Sequence, residues 1–312
     1  MAARPSSYRR SSFQPLALWT TATTYLLILV GGLVRASGAG LGCPDWPRCF
    51  GGWIPPSSAA ALPAQFDRSL FNPTLMWTEY LNRLLGVSVG FLILATVVSA
   101  WRHHRRDARI FWPSVVALLL TGFEGWLGGR VVVHELAAWI VTAHLIVALV
   151  IVQLLLYATV GAYAGSTGST GPTGWLTNSV VALIVLTLIQ VALGTQVRGG
   201  VDAALDANIP RSGALATVGW IDTLHRDSAL IVFGGALVVM LRLWWKSPGA
   251  RRLTRWAQAA AGLATLQVAL GIVMAYVSLA PAAQVLHLTV ASLLLGAETV
   301  LLLLAWKDRE GS

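Results

Sequence analysis

Eight stretches of this chain are apolar over about 20 residues, long enough to cross a lipid bilayer as helices. They run over residues 16–36, 76–101, 111–131, 136–160, 175–197, 217–245, 254–279 and 281–306. A backbone in hydrocarbon must satisfy its own hydrogen bonds, which makes helices the natural spanning element here. The expected fold class is therefore an all-α membrane protein. Only 11% of the 312 residues are charged, against roughly 25% in soluble domains, so a soluble globule and a disordered chain are both poor fits. The first stretch follows Arg4, Arg9 and Arg10, but its apolar run reaches Val34, beyond a signal-peptide core.

A net charge of +9 would suit nucleic acid if the charges were clustered for it. They are not. Fourteen of the 22 Lys and Arg fall at one set of helix ends: Arg4, Arg9, Arg10, Arg102, Arg105, Arg106, Arg109, Arg242, Lys246, Arg251, Arg252, Arg255, Lys307 and Arg309. The positive-inside rule makes those ends, and both termini, cytoplasmic. The charge is a topology signal directed at membrane lipid, and no nucleic-acid partner is expected. His103 and His104 fall in the basic inner loop and are read as solvated.

Residues 1–160 form a first set of four spans with a long outer loop over 37–73. Residues 161–174 read as a flexible Gly/Ser/Thr-rich linker, and residues 175–312 hold the second set. The two sets match at a constant offset of 143 residues, as from His144 to His287. Glu79-Tyr80-Leu81-Asn82-Arg83 falls on Asp222-Thr223-Leu224-His225-Arg226, and Leu127-Gly128 on Leu270-Gly271. Val34-Arg35 matches Val197-Arg198 at a larger offset, because the first outer loop is longer. An even number of spans per repeat gives both the same orientation. The expectation is two pseudo-symmetric four-helix bundles.

His144, His225 and His287 lie inside spans four, six and eight, each a short way in from the outer surface, and Asn82 holds the equivalent place in span two. The repeat thus builds two like sites, Asn82 with His144 and His225 with His287. Imidazoles at one depth on facing helices suit the axial positions of a haem iron. A zinc site would call for more ligands than such a pair supplies. The competing reading is a set of hydrogen-bonded core histidines, but ionisable groups in spans are rare and usually functional.

Glu79 shares a helix face with Asn82 and can relay protons beside the first pocket, or pair with Arg83 at i,i+4. Arg35, Arg83, Arg198 and Arg226, near outer helix ends, suit either haem propionates or lipid headgroups. Cys43 and Cys49 fall in the outer loop, where oxidation is allowed. A local disulfide is expected, with a redox-active dithiol or transient covalent capture as competing uses. Glu124, matched by Gln267, reads as a hydrogen-bonding group, Glu298 as a candidate for a proton path, and His134 as a surface residue at an outer mouth.

The run Gly31-Gly32-Leu33-Val34-Arg35 and the segment Ser37-Gly38-Ala39-Gly40-Leu41-Gly42-Cys43-Pro44-Asp45-Trp46-Pro47 resemble the first span and outer loop of haem A synthases. Glu79-Tyr80-Leu81-Asn82-Arg83 is similar to that family's Glu-x-x-His-Arg motif, and His144, His225 and His287 match its remaining histidines. The resemblance covers essentially the whole chain. It implies oxidation of the C8 methyl group of haem O to a formyl group by two hydroxylations and loss of water. It implies haem b on His225 and His287, haem O as substrate near His144, Asn82 and a catalytic Glu79, and a disulfide between Cys43 and Cys49. The partners it implies are haem O synthase and the terminal oxidase assembly, in a bacterial cytoplasmic or other energy-transducing membrane. A bis-His electron-transfer cytochrome b and a non-catalytic haem-binding assembly protein are the rival functions. One departure stands out: Asn82 replaces the family's histidine, so the first site is expected to be five-coordinate through His144. The second outer loop, read as 198–213, has no Cys and so no second disulfide.

Overall fold

A computed structural model describes residues 12–163, 174–247 and 249–310. Its long helices are α1 (Phe13–Ala36), α2 (Pro73–His104), α3 (Ala108–Val133), α4 (Ala138–Tyr163) and α5 (Gly174–Asp206). After a single turn, α6 (Arg211–Ala214), come α7 (Trp220–Lys246), α8 (Arg251–Tyr276) and α9 (Pro281–Glu310). Eight of these helices are long and apolar enough to cross a membrane, and the chain is a multi-pass membrane protein. Arg4, Arg9, Arg10 and residues 164–173 of the expected linker lie outside the described residues.

Local chemistry sets several of the helix ends. Asn72 caps α2 by accepting from Leu75 N–H at 3.2 Å, and Pro73 stands at the first helical position, where its missing N–H is harmless. Asp107 caps α3 through Arg109 N–H at 3.0 Å. The sequence reading ends the fifth span at residue 197, whereas α5 continues to Asp206. The second outer loop is correspondingly shorter than 198–213. The extension carries an i,i+4 ion pair, Arg198 to Asp202 at 2.7 Å, of the kind that supports an exposed helical turn.

α1 packs on α2, α2 on α3, α3 on α4, and α4 back on α1. Likewise α5 packs on α7, α7 on α8, α8 on α9, and α9 on α5. The helices of the first set meet those of the second through α1 on α9, α4 on α9 and α4 on α5. Position therefore differs sharply between helices of similar composition. The spanning part of α9 is 78% buried, and those of the other seven are 17% to 33% buried. Large apolar side chains of the other seven stay exposed, Trp19, Phe91, Leu119 and Trp245 among them.

With little hydrophobic drive between helices in hydrocarbon, packing and polar contacts hold them together. The Thr20 and Thr96 hydroxyls join α1 to α2 at 2.9 Å, and those of Thr142 and Thr195 join α4 to α5 at 2.7 Å. The Thr187 hydroxyl donates to Glu298 Oε1 at 3.0 Å, joining α5 to α9.

The loop between α1 and α2 folds back onto α2. Its closest approach is at Gly42, where a Cβ would stand 2.5 Å from the backbone carbonyl of Leu75 and 2.8 Å from Met76 N. Backbone atoms cannot swing aside as a flexible side chain would. Gly42→Ala is therefore expected to destabilise the protein by about 1–3 kcal/mol, the usual range for overpacking. A lower melting temperature in detergent would register it, and an unchanged one would refute the close approach.

Candidate functional site

The loop end of the molecule gathers the residues singled out in the sequence. Cys43 and Cys49 form a disulfide, as expected. The turn it closes is organised by Asp45, which accepts from Phe50 N–H at 2.6 Å and Gly51 N–H at 2.8 Å. Three side chains of α2 hold this turn down. Tyr80 donates to the Trp53 carbonyl at 2.7 Å. Arg83 donates to the carbonyls of Asp45 and Arg48, each at 2.8 Å, and of Cys43 at 3.3 Å. Glu79, almost fully buried, accepts from Cys43 N–H at 2.8 Å with one carboxylate oxygen and from Arg83 with the other. The Glu-Tyr-x-x-Arg part of the run thus binds the loop.

Trp46, within the disulfide turn, lies against α3. Its ring atoms come within 2.7 Å of where a Cβ at Gly129 would stand, so only glycine permits this contact. The next residue back, Gly128, faces His144 Cε1, at 3.4 Å from its own ideal Cβ. The loop consequently covers the part of α3 that packs against His144.

The same ring-on-glycine contact occurs twice more. A Cβ at Gly194 of α5 would stand 3.1 Å from His225 Cε1, and one at Gly271 of α8 would stand 3.7 Å from His287 Cε1. His144, His225 and His287 all sit in the second turn of their helices, α4, α7 and α9. In all three, Nδ1 is buried without a well-formed hydrogen bond. The His225 and His287 ring centres are 6.3 Å apart, with planes inclined at 66°. Two metal–imidazole bonds of roughly 2 Å in line, plus about 1 Å from each nitrogen to its ring centre, require about 6 Å. The separation of the pair matches the spacing that two axial imidazoles of a haem iron require. Among the described residues no three His, Cys, Asp or Glu side chains cluster as a metal site.

The first pair is unlike the second. Asn82 stands where His225 stands in the repeat, and its Oδ1 is buried without a partner. His144 Nδ1 lies 3.0 Å from Glu124 Oε1 on α3, close enough for an ion pair although off the line of a hydrogen bond. A carboxylate behind an imidazole is the usual support for a metal-binding histidine. Gln267 occupies the corresponding place in the second set.

The four arginines divide. Arg83 is consumed by the loop. Arg226 pairs with Asp222 and lies over the Tyr276 ring at 5.6 Å. Arg35 of α1 and Arg198 of α5 converge on one carboxylate, Asp202, each at 2.7 Å. Arg35 Nε and Nη1 and Arg198 Nε remain buried and unpartnered. One carboxylate between two guanidinium groups leaves an excess positive charge and spare donors, which suit an acid-bearing ligand. Asp202 was missed in the sequence because the fifth span was ended too early. The glycines at 128 and 271 were visible as part of the repeat, but nothing in the sequence alone assigned them to histidine rings.

Of the remaining groups, Glu298 is buried between α5 and α9, remote from the loop end. His103 is exposed, His104 packs edge-on against Phe13 at 5.1 Å, and His134 bonds the Arg130 carbonyl at 2.9 Å and packs on Trp139.

Comparison with known proteins adds the family context. The family model COX15-CtaA, described as cytochrome oxidase assembly protein, matches residues 14–299. The chain is similar to the heme A synthase of Caulobacter sp., at 27% identity over 97% of this chain and 99% of that protein. It is similar to the heme A synthase of Sinorhizobium fredii at 27% identity, over 86% of this chain and 85% of the relative. For the heme A synthase of Allorhizobium ampelinum the identity is 29%, over 66% of this chain and 61% of that protein.

Proposed function

The chain belongs to the COX15-CtaA family of cytochrome oxidase assembly proteins, and from that premise we propose that it is a haem A synthase. In this reading it oxidises the C8 methyl group of haem O to a formyl group within the membrane. Each of two hydroxylations replaces one C–H bond of that carbon with C–OH, a two-electron oxidation whose oxygen atom and oxidant come from outside the protein. The resulting geminal diol loses water to leave the aldehyde. The basic helix ends face the cytoplasm, and the loop end faces the opposite side of a bacterial cytoplasmic or other energy-transducing membrane. The two helix sets act as two bundles, the first for substrate and the second for a resident haem b. Haem O synthase supplies the substrate, and the terminal oxidase assembly receives the product.

The observation that carries the proposal is the 6.3 Å separation of the His225 and His287 rings on a repeat whose other copy keeps only one histidine. His225 and His287 would hold haem b, which supplies a one-electron carrier beside the substrate. His144 would hold haem O from the α4 side, with Glu124 fixing its ring. Arg35 and Arg198 would offer their spare donors to propionates. Glu79, with both oxygens engaged, acts through the loop. We assign it to holding the disulfide turn over the substrate pocket, in place of the proton relay expected from the sequence. Trp46 and the turn exclude water from the reacting methyl group.

The test is pigment extraction after co-expression with haem O synthase. Haem A is the expected product. Accumulated haem O without haem A would instead indicate a delivery protein, and haem b alone an electron-transfer cytochrome.

A further inference from the structure

The duplication provides an internal control for the position of Asn82. Four equivalent places pair a glycine on one helix with a polar side chain on the next. They are Gly128 with His144, Gly194 with His225, Gly271 with His287, and Gly31 with Asn82. Gly31 takes its place through the match of Val34-Arg35 with Val197-Arg198. In the three histidine pairs the imidazole edge lies 3.1 to 3.7 Å from the ideal Cβ of its glycine. A Cβ at Gly31 would meet no atom within 4 Å. The shorter Asn82 side chain does not reach the surface that a ring covers in the other three, and its buried Oδ1 has no hydrogen-bond partner.

In the same helix set, His144 has Glu124 Oε1 at 3.0 Å from its Nδ1. No other histidine is placed to substitute for the missing one. His134, at the end of α3, is turned to its own helix and Trp139, and His103 bonds the Ser99 carbonyl of its own helix.

Resting on the haem reading above, we propose that Gly31 and Asn82 form a slot for a small diatomic or water-sized ligand of a porphyrin iron held from the other side by His144. The second pair, with both faces occupied by imidazole, has no such slot. Two features suit Asn82 to this task. An amide carbonyl is a poor iron ligand, so it leaves the position open. The amide also carries both a donor and an acceptor, so it can hydrogen-bond whatever small molecule enters. The two helix sets are then specialised by one residue, the first for exogenous ligands and the second for electron transfer.

The probe is carbon monoxide added to the dithionite-reduced, detergent-purified full chain, isolated with its haems after co-expression with haem O synthase. Haem content is measured on the same sample. The wild type is expected to show a carbon monoxide shift for one of its two haems. Asn82→His is expected to retain both haems, become wholly six-coordinate low-spin, and bind carbon monoxide about tenfold more weakly or not at all. Gly31→Leu fills the slot from α1 without adding a ligand. It is expected to weaken carbon monoxide binding by a similar factor, about tenfold, while the ferrous haem stays five-coordinate. Haem-loaded wild type with no carbon monoxide shift overturns the slot and leaves the proposed function standing. So does equal binding by the wild type and both variants. Protein without haem overturns the functional reading and the slot with it.

Discussion

His225→Ala is expected to remove the haem of the second helix set and, with it, the low-spin signal of a bis-imidazole iron. Haem per protein should fall by about half, because the His144 site is untouched, and haem A formation should cease for want of the electron carrier. The expectation rests on the 6.3 Å spacing of the His225 and His287 rings. Either imidazole alone leaves one face of the iron without a protein ligand. Even supporting residues of metal sites typically contribute 10–100-fold to affinity, and a ligand should contribute more. His287→Ala should behave in the same way, whereas His103→Ala, at an exposed position, should change neither signal. Pyridine haemochrome analysis and electron paramagnetic resonance of the purified variants provide the measurement. Undiminished haem b in His225→Ala would refute the ligand assignment.

The second large effect is expected at Glu79. Its carboxylate joins two things that the sequence keeps apart, the Cys43 amide in the loop and the Arg83 guanidinium on α2. Glu79→Gln keeps an acceptor for Cys43 N–H but removes the charge that Arg83 faces. Arg83 retains three loop carbonyls, so the protein should still fold, with a loss of about 1–3 kcal/mol for the charge-assisted bond. Haem content should be unchanged and haem A yield should fall by roughly tenfold or more. Glu79→Asp separates the two contacts. Asp222 pairs with Arg226 in the repeat, so the shorter acid can keep the ion pair while losing its reach to Cys43. If the loop contact matters, Glu79→Asp should also be impaired, with raised protease sensitivity between residues 43 and 53. If Glu79→Gln makes haem A at the normal yield, the charge of Glu79 has no part in the reaction.

The eight spans were legible because hydrocarbon imposes a length and a composition that few other environments demand. The ends of the helices were less so. α5 runs past residue 197 because Arg198 and Asp202 pair across a turn, and a hydropathy window ends where the first charge appears. The disulfide could be anticipated from compartment and spacing. The work of Arg83 could not, since its partners are backbone carbonyls of a loop some 35 to 40 positions away. Glu124 illustrates the same limit. Its match with Gln267 identified it as polar, but only the packing of α3 on α4 brings it to His144. The rank order of burial was also hidden. α9 and α4 are both strongly apolar and both touch the two sets of helices, yet the spanning part of α9 is 78% buried and that of α4 only 28%.

That central placement bears on how the protein is made. Synthesis runs from α1 onward, so α1, α4 and α5 leave the ribosome before the helix that fills the space among them. Until α9 follows, Thr187 has no Glu298 to donate to, and His225 faces no second imidazole. The interior of the bundle therefore stays incomplete until α9 arrives, and it is the packing of α9 among the earlier helices that closes the core.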